Sequence, residues 1–250
     1  IIKAAVDEGI DFILSGAGLP INLPEIVGDK DVALIPIISG SRALKIVLNA
    51  WKRKYNRIPD AIIVEGPKCG GHLGFSYEQL DLPETCSLDI LYAEVKELMN
   101  TFGYNDVPLI AAGEVTSREE IENFLKMGYD AAQIGTYFIA TEEAGMDVKS
   151  KEVYVNAQAD DVVVIKSPVG LPVRVLKTPL VKRVLDGNKE KFGCPYKCLR
   201  TCNPSKAPFC IAKALLATWS GDTYNGLYMT GCNVDNMKEI IPLKQFFDTL

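Results

Sequence analysis

The stretch IIVEGPKCGGHLGF, residues 62–75, decides how this chain is read. Ile62, Ile63 and Val64 form a β-branched run of the kind that fills a buried strand. The run passes directly into a loop holding Pro67 and the glycines Gly66, Gly70, Gly71 and Gly74, and in that loop stands His72, the only histidine in the chain. A short strand, apolar on both faces and ending in a glycine-rich loop, belongs to a parallel sheet covered by helices. Such sheets carry function at the C-terminal ends of their strands.

The same unit recurs on both sides of this stretch. Strands are predicted at residues 11–15, 33–38, 61–65, 108–112 and 131–135. Between them, residues 41–55 place Ala43, Leu44, Val47, Leu48 and Trp51 on one helical face, with Ser41 as the expected N-cap. Residues 87–102 do the same with Leu88, Leu91, Val95, Leu98 and Met99. Residues 117–128 open on Ser117, with Glu120 completing a capping box, and stop at Gly128. Five βα units result. Five can close a doubly wound sheet, whereas a TIM (β/α)8 barrel needs eight. The chain opens at Ile1 inside a helical pattern, so the reading adopted is an α/β fold, a TIM-type barrel lacking its first three βα units. At roughly 30 residues per unit, about 90 residues are then expected ahead of Ile1. Five units alone would leave open sheet edges that another segment or a partner chain must close.

Residues 1–146 are assigned to the barrel units. The pattern then changes to a helix, a strand and proline-rich loops, followed by helical stretches at 209–220 and 238–249. Residues 147–225 are read as a small, mainly helical substrate or cap domain, and 226–250 as a C-terminal helix returning to the barrel.

Composition narrows the functional classes. The chain has 250 residues, 48% of them hydrophobic, and a net charge of -5, with no long basic run, which argues against nucleic acid. No apolar run approaches the roughly 20 residues that span a bilayer, and no signal peptide is visible. Seven cysteines in a chain of this size indicate a reducing, cytoplasmic setting.

The last two predicted strands end in AAGE (111–114) and QIGT (133–136). Loops after the final strands of a TIM barrel often hold phosphate through backbone N–H groups. Gly113 permits close backbone approach, Gly135 and Thr136 add an amide and a hydroxyl, and the helix beginning near Ser117 turns its positive end the same way. Two such loops in place point to a phosphate-bearing cofactor. Turning the chain is the alternative role for these glycines.

Taken in order, EGPKCGGHLG, PLIAAGEVTSREEI and AAQIGTYFIATEE resemble the nitronate monooxygenase family, formerly 2-nitropropane dioxygenase, which includes the FabK-type enoyl-ACP reductases. The resemblance runs from SGAGLP near the start through SPVGLP at 167–172. It implies an FMN-binding TIM barrel with a small substrate domain, acting as an FMN-dependent oxidoreductase. Nitronate oxidation is the leading activity, and NAD(P)H-dependent enoyl-ACP reduction the alternative. A non-catalytic barrel that binds a phosphate ligand is the reading from a different class. The resemblance implies that Ala112, Gly113 and Glu114, with Gln133, Gly135 and Thr136, hold the FMN phosphate. It implies that Gly70 and Gly71 let the backbone pass close to the flavin, that His72 faces the flavin's reactive side, and that a homodimer is expected. Where the family has AAGG, this chain has Glu114, whose carboxylate must point away from a phosphate.

A lone histidine often serves only as a structural hydrogen bonder, but His72 follows a strand end in a loop of small residues. Near pKa 6.5 it can exchange a proton at neutral pH. It is therefore the candidate acid/base or orienting group for a small substrate, a nitronate or an enoyl thioester. Glu65 ends the same strand and is placed against the flavin or in a structural role. Lys68 is either an anion partner or solvated, Ser39 a minor ligand contact, and Cys69 a small hydrophobe bordering the site. An acyl carrier protein would need a basic patch, for which Lys166, Arg174, Lys177, Lys182 and Arg183 are candidates. Cys194, Cys198, Cys202 and Cys210 give C-x3-C-x3-C-x7-C, which fits neither the usual zinc nor the usual iron–sulfur spacing. No metal ligands are assigned, and the spacing leaves open metal binding or buried thiols packing a subdomain.

Overall fold

The computed structural model describes residues 1–16, 18–113, 115–194, 198 and 202–249. Eight strands occur among them: β1 (Phe12–Ser15), β2 (Ala33–Ile38), β3 (Ile62–Glu65), β4 (Gly71–His72), β5 (Leu109–Ala112), β6 (Ala131–Gln133), β7 (Val162–Lys166) and β8 (Pro172–Leu176). The chain divides into two compact units.

The first unit comprises residues 1–67, 78–115 and 119–133. Its five strands lie parallel in the order β1-β2-β3-β5-β6. Each strand neighbours the next one of this unit in the chain, with no reversal of direction. A doubly wound sheet reverses at its switch point, whereas a barrel does not, so the order is that of consecutive barrel strands. Helices Ser41–Tyr55, Leu88–Phe102 and Arg118–Met127 alternate with the strands. Their apolar faces match the predicted periodicity: Leu44, Val47, Leu48 and Trp51 are buried on the first, and Leu88, Leu91, Val95 and Met99 on the second. Trp51 is fully buried in a cluster with Val6, Leu23, Val27, Leu34 and Val47, and its indole N–H donates to the Pro20 carbonyl at 2.9 Å.

Two local expectations need correction. Ser41 is the first helical residue rather than the cap, which is Gly40; the Ser41 hydroxyl donates instead to the Glu94 carboxylate at 2.9 Å. The last strand stops at Gln133 rather than 135, because the chain turns through Gly135 into the short helix Thr136–Ile139.

The second unit comprises residues 68–77, 116–118 and 134–250. Its first segment is an excursion of the loop between β3 and the helix that follows it. A three-stranded antiparallel sheet, β4-β8-β7, forms its centre, where the sequence suggested one strand and proline-rich loops. Every residue of β8 is buried. Val173, Val175, Phe209, Ile211 and Leu227 form one cluster in this unit, and Tyr154, Leu176, Tyr228 and Met237 form another. The helices expected at 209–220 and 238–249 run over Ile211–Trp219 and Leu243–Thr249. No helix among the described residues is long and apolar enough to cross a membrane.

Candidate functional site

Three of the sequence-predicted residues come together at the C-terminal edge of the parallel sheet. Glu65 is in register with Ala112, and Ala112 with Gln133, so the three stand side by side across β3, β5 and β6. Gly113 follows with φ +100°, a conformation that favours glycine. Glu114 lies outside the described residues. Gln133 Oε1 is the one sealed side-chain polar atom without a hydrogen-bond partner among the described residues. A buried amide oxygen left unpaired costs free energy, so this position calls for a donor.

The second unit collects the others. Residues 68–73 are stitched to the chain on two sides. On one side, Gly71 and His72 pair with Arg174 and Val173, Leu73 N–H donates to Pro172 O at 2.9 Å, and Arg174 Nη1 donates to Cys69 O at 2.5 Å. On the other side, Cys232 N–H donates to Lys68 O at 3.1 Å. Gly70 is required by this threading. A β-carbon there would meet Thr230 C at 2.5 Å and Gly231 N at 2.7 Å, so the close approach at Gly70 is to the chain's own backbone. Gly231 N–H in turn donates to Thr136 Oγ1 at 3.1 Å. Gly70, Gly71 and Thr136 are thereby gathered around the segment 229–231. A β-carbon on Gly135 would meet nothing within 4 Å, so there is open space on the side-chain side of this turn.

His72 is half-buried. Its Nε2 lies 2.7 Å from Ser167 Oγ, and its Nδ1 has no partner among the described residues. Burial lowers its pKa below the ordinary 6.5, so the imidazole is neutral at pH 7. As pH falls through 6.5 the unfolded imidazole takes up a proton before the folded one does, so acidification below 6.5 weakens the fold. Thermal unfolding at about pH 7.5 and about pH 5.5 should therefore show a larger loss in the wild type than in His72→Gln.

Ser167 entered the sequence reading only as part of SPVGLP, Arg174 only as a carrier-protein contact, and the segment 229–231 not at all; each reaches His72 or its loop only through the antiparallel sheet or the turn beside it. The proposed basic patch is corrected at two positions. Arg174 is buried on β8, its guanidinium spent on the Cys69 carbonyl. Arg183 is half-buried, paired with Glu190 at 2.6 Å and stacked on Tyr224 at 4.4 Å. Lys166, Lys177 and Lys182 are exposed. Cys69 is buried, as expected of a small hydrophobe. The four clustered cysteines are free thiols; Cys198 is exposed and Cys194, Cys202 and Cys210 are half-buried, so they do not form a buried packing cluster. Among the described residues no group of three or more His, Cys, Asp or Glu side chains is placed to hold a metal ion.

Comparison with known proteins adds to this geometry. The family described as nitronate monooxygenase matches residues 2–250. The chain is 29% identical over 163 residues to the (3aS,4S,5R,7aS)-5-hydroxy-7a-methyl-1-oxo-octahydro-1H-indene-4-carboxyl-CoA dehydrogenase of Mycobacterium tuberculosis, covering 65% of this chain and 40% of that protein. It is 23% identical over 166 residues to a probable nitronate monooxygenase of Staphylococcus aureus, covering 66% of this chain and 45% of that one. The alignments thus span less than half the length of these curated relatives. In structure it resembles FabK from Thermotoga maritima, with a TM-score of 0.76 and 25% identity, covering 99% of this chain and 69% of that one.

Proposed function

The chain belongs to the nitronate monooxygenase family, and from that premise we propose that it is the FMN-binding and substrate-facing part of an oxidoreductase that oxidises alkyl nitronates. The observation that carries the reading is His72. The chain's only imidazole stands beyond a parallel-sheet strand end, neutral, tethered at one nitrogen and unpartnered at the other.

The residues present fit FMN on three counts. Gln133 Oε1 is buried and lacks a donor, which a cofactor N–H or O–H would supply. Gly135 has open space where a side chain would stand. Gly113 holds a positive φ that keeps the backbone bare where an anion would approach. Gly113 in the first unit and Gly135 and Thr136 in the second are the residues assigned to the phosphate, and Gln133, level with Ala112 and Glu65 across the strand ends, is assigned to a donor group of the cofactor. FMN, when bound, supplies the two-electron chemistry. The chain's own part is to orient the substrate at His72 and to donate or hold a proton at Nδ1.

Enoyl-ACP reduction is the second reading, favoured by the FabK likeness over 99% of the chain. Burial of Arg174 and pairing of Arg183 leave Lys166, Lys177 and Lys182 of the five basic candidates to meet an acidic carrier protein. The dehydrogenase relative, whose name places its substrate as a CoA thioester, widens the substrate classes that the same site would accept.

The test is flavin content. The full-length protein, purified and then heat-released, should yield about one FMN per chain, and Gln133→Ala should lower that occupancy by loss of a charge-free hydrogen bond worth about 1 kcal/mol. No flavin after incubation with FMN would overturn the reading.

A further inference from the structure

We propose that Ser167 is the positioning residue that fixes the proton of His72 on Nδ1, so that the imidazole meets the substrate as a hydrogen-bond donor to oxygen and not as the base that removes a carbon-bound proton. This deepens the reading of His72 as the substrate-facing group and rests on it.

Ser167 is 2% exposed. Its Oγ lies 2.7 Å from His72 Nε2 and accepts from Val169 N–H at 3.3 Å. No other partner of this hydroxyl exists among the described residues. A serine hydroxyl has one proton to give, and a buried one must find an acceptor. The acceptor in reach is Nε2. If Nε2 carried a proton, Ser167 would accept two N–H bonds and its own O–H would point at nothing. The satisfied arrangement is O–H donating to a bare Nε2, and a neutral imidazole with a bare Nε2 carries its proton on Nδ1.

Both partners are held where they are. Ser167 N–H donates to Leu171 O and Gly170 N–H to Ser167 O, each at 2.9 Å, closing a tight turn between β7 and β8. His72 is registered opposite Val173 on the same β8. The serine and the histidine are therefore fixed by one sheet, although 95 residues separate them. Nδ1 has no partner, yet it is not among the sealed unpaired atoms, of which Gln133 Oε1 is the one described. It is open to a ligand.

The chemistry selects a substrate class. An N–H at Nδ1 suits a substrate that already carries its negative charge on oxygen, such as a nitronate, or one with a carbonyl oxygen to polarise. A neutral nitroalkane needs a base, and the open nitrogen is occupied by a proton.

The experiment is imidazole 15N NMR of the full-length protein grown with labelled histidine, with the His72 signal identified by its absence in His72→Gln. The expected result at neutral pH is a protonated Nδ1 and an unprotonated Nε2, moving toward the Nε2–H form in Ser167→Ala. A wild-type spectrum with the proton on Nε2 would overturn the proposal, and this needs no variant to fold. In parallel, kcat/KM is compared for a primary nitronate and its parent nitroalkane. The nitronate should be favoured by at least about tenfold, and Ser167→Ala should narrow that ratio; equal turnover of both by the wild type would also overturn the donor role. The two readings separate cleanly. Nitronate turnover with an Nε2–H spectrum sinks the role of Ser167 and leaves the proposed function standing. An Nδ1–H spectrum with no turnover of any nitronate sinks the function and leaves the assignment of the proton.

Discussion

His72→Ala is expected to keep its flavin and lose about 10²–10³-fold in kcat/KM, the usual cost of removing one donor aimed at the oxygen where charge sits. The two halves of this result have separate causes. The side-chain contact of His72 within the chain is with Ser167, so truncation removes no group assigned to FMN. The donor at Nδ1, in contrast, has no substitute, because the chain contains no second histidine. The variant should also lose about 1–3 kcal/mol of stability near neutral pH, because truncation leaves the buried Ser167 hydroxyl without its acceptor. Flavin content by absorbance and steady-state rates on a nitronate check both halves. Unchanged turnover would remove His72 from the mechanism.

Gly70→Ala is expected to be the most damaging single methyl in the molecule's functional half. The added carbon would stand 2.5 Å from Thr230 C, 2.7 Å from Gly231 N and 2.8 Å from Thr230 O. All three are main-chain atoms, so no side chain can swing aside. Relief requires moving segment 229–231, which is tied by Thr230 N–H to Arg174 O at 3.3 Å and by Gly231 N–H to Thr136 Oγ1. Overpacking of this kind costs about 1–3 kcal/mol or more, and at roughly 2–4 °C per kcal/mol for a chain of this size the melting temperature should fall by several degrees. Activity should fall with it, because His72 lies two residues along the chain from the clash. Gly71→Ala is the useful contrast. There the nearest atom is the flexible Met229 sulfur at 3.5 Å, and the cost comes from the positive φ of +77°. Equal stability of Gly70→Ala and wild type, by thermal unfolding, would contradict the packing described.

The parallel sheet was legible because its signals are local. Each strand is a continuous apolar run, each helix an apolar stripe of period 3.6, and each unit is closed by glycine or a polar turn. The candidate site was proposed from the sequence for the same reason: glycines and a solitary histidine after strand ends stand out without reference to distant sequence. What escaped is what depends on pairing across the chain. Gly71–His72 is a strand only because β8 lies beside it, and two residues containing a glycine carry no strand pattern. Ser167 meets His72 across 95 positions. Arg174 sits in a five-residue buried strand, where an arginine is tolerated because the Cys69 carbonyl receives it; read alone, PVRVL offers no sign of that acceptor. The capping of the helix at Ser41 went astray through competition, since Glu94 on a neighbouring helix takes the hydroxyl.

The central claim is that this chain presents FMN and a donor histidine to an anionic nitronate. The measurement that tests it most directly is anaerobic rapid mixing of the flavin-loaded, full-length protein with a nitronate in the absence of nicotinamide, followed at the flavin absorbance. The account predicts prompt bleaching, slowed about 10²–10³-fold in His72→Ala. A flavin that bleaches with NAD(P)H alone and recovers its colour on addition of an enoyl thioester, with the nitronate inert, would contradict it and assign the site to enoyl reduction.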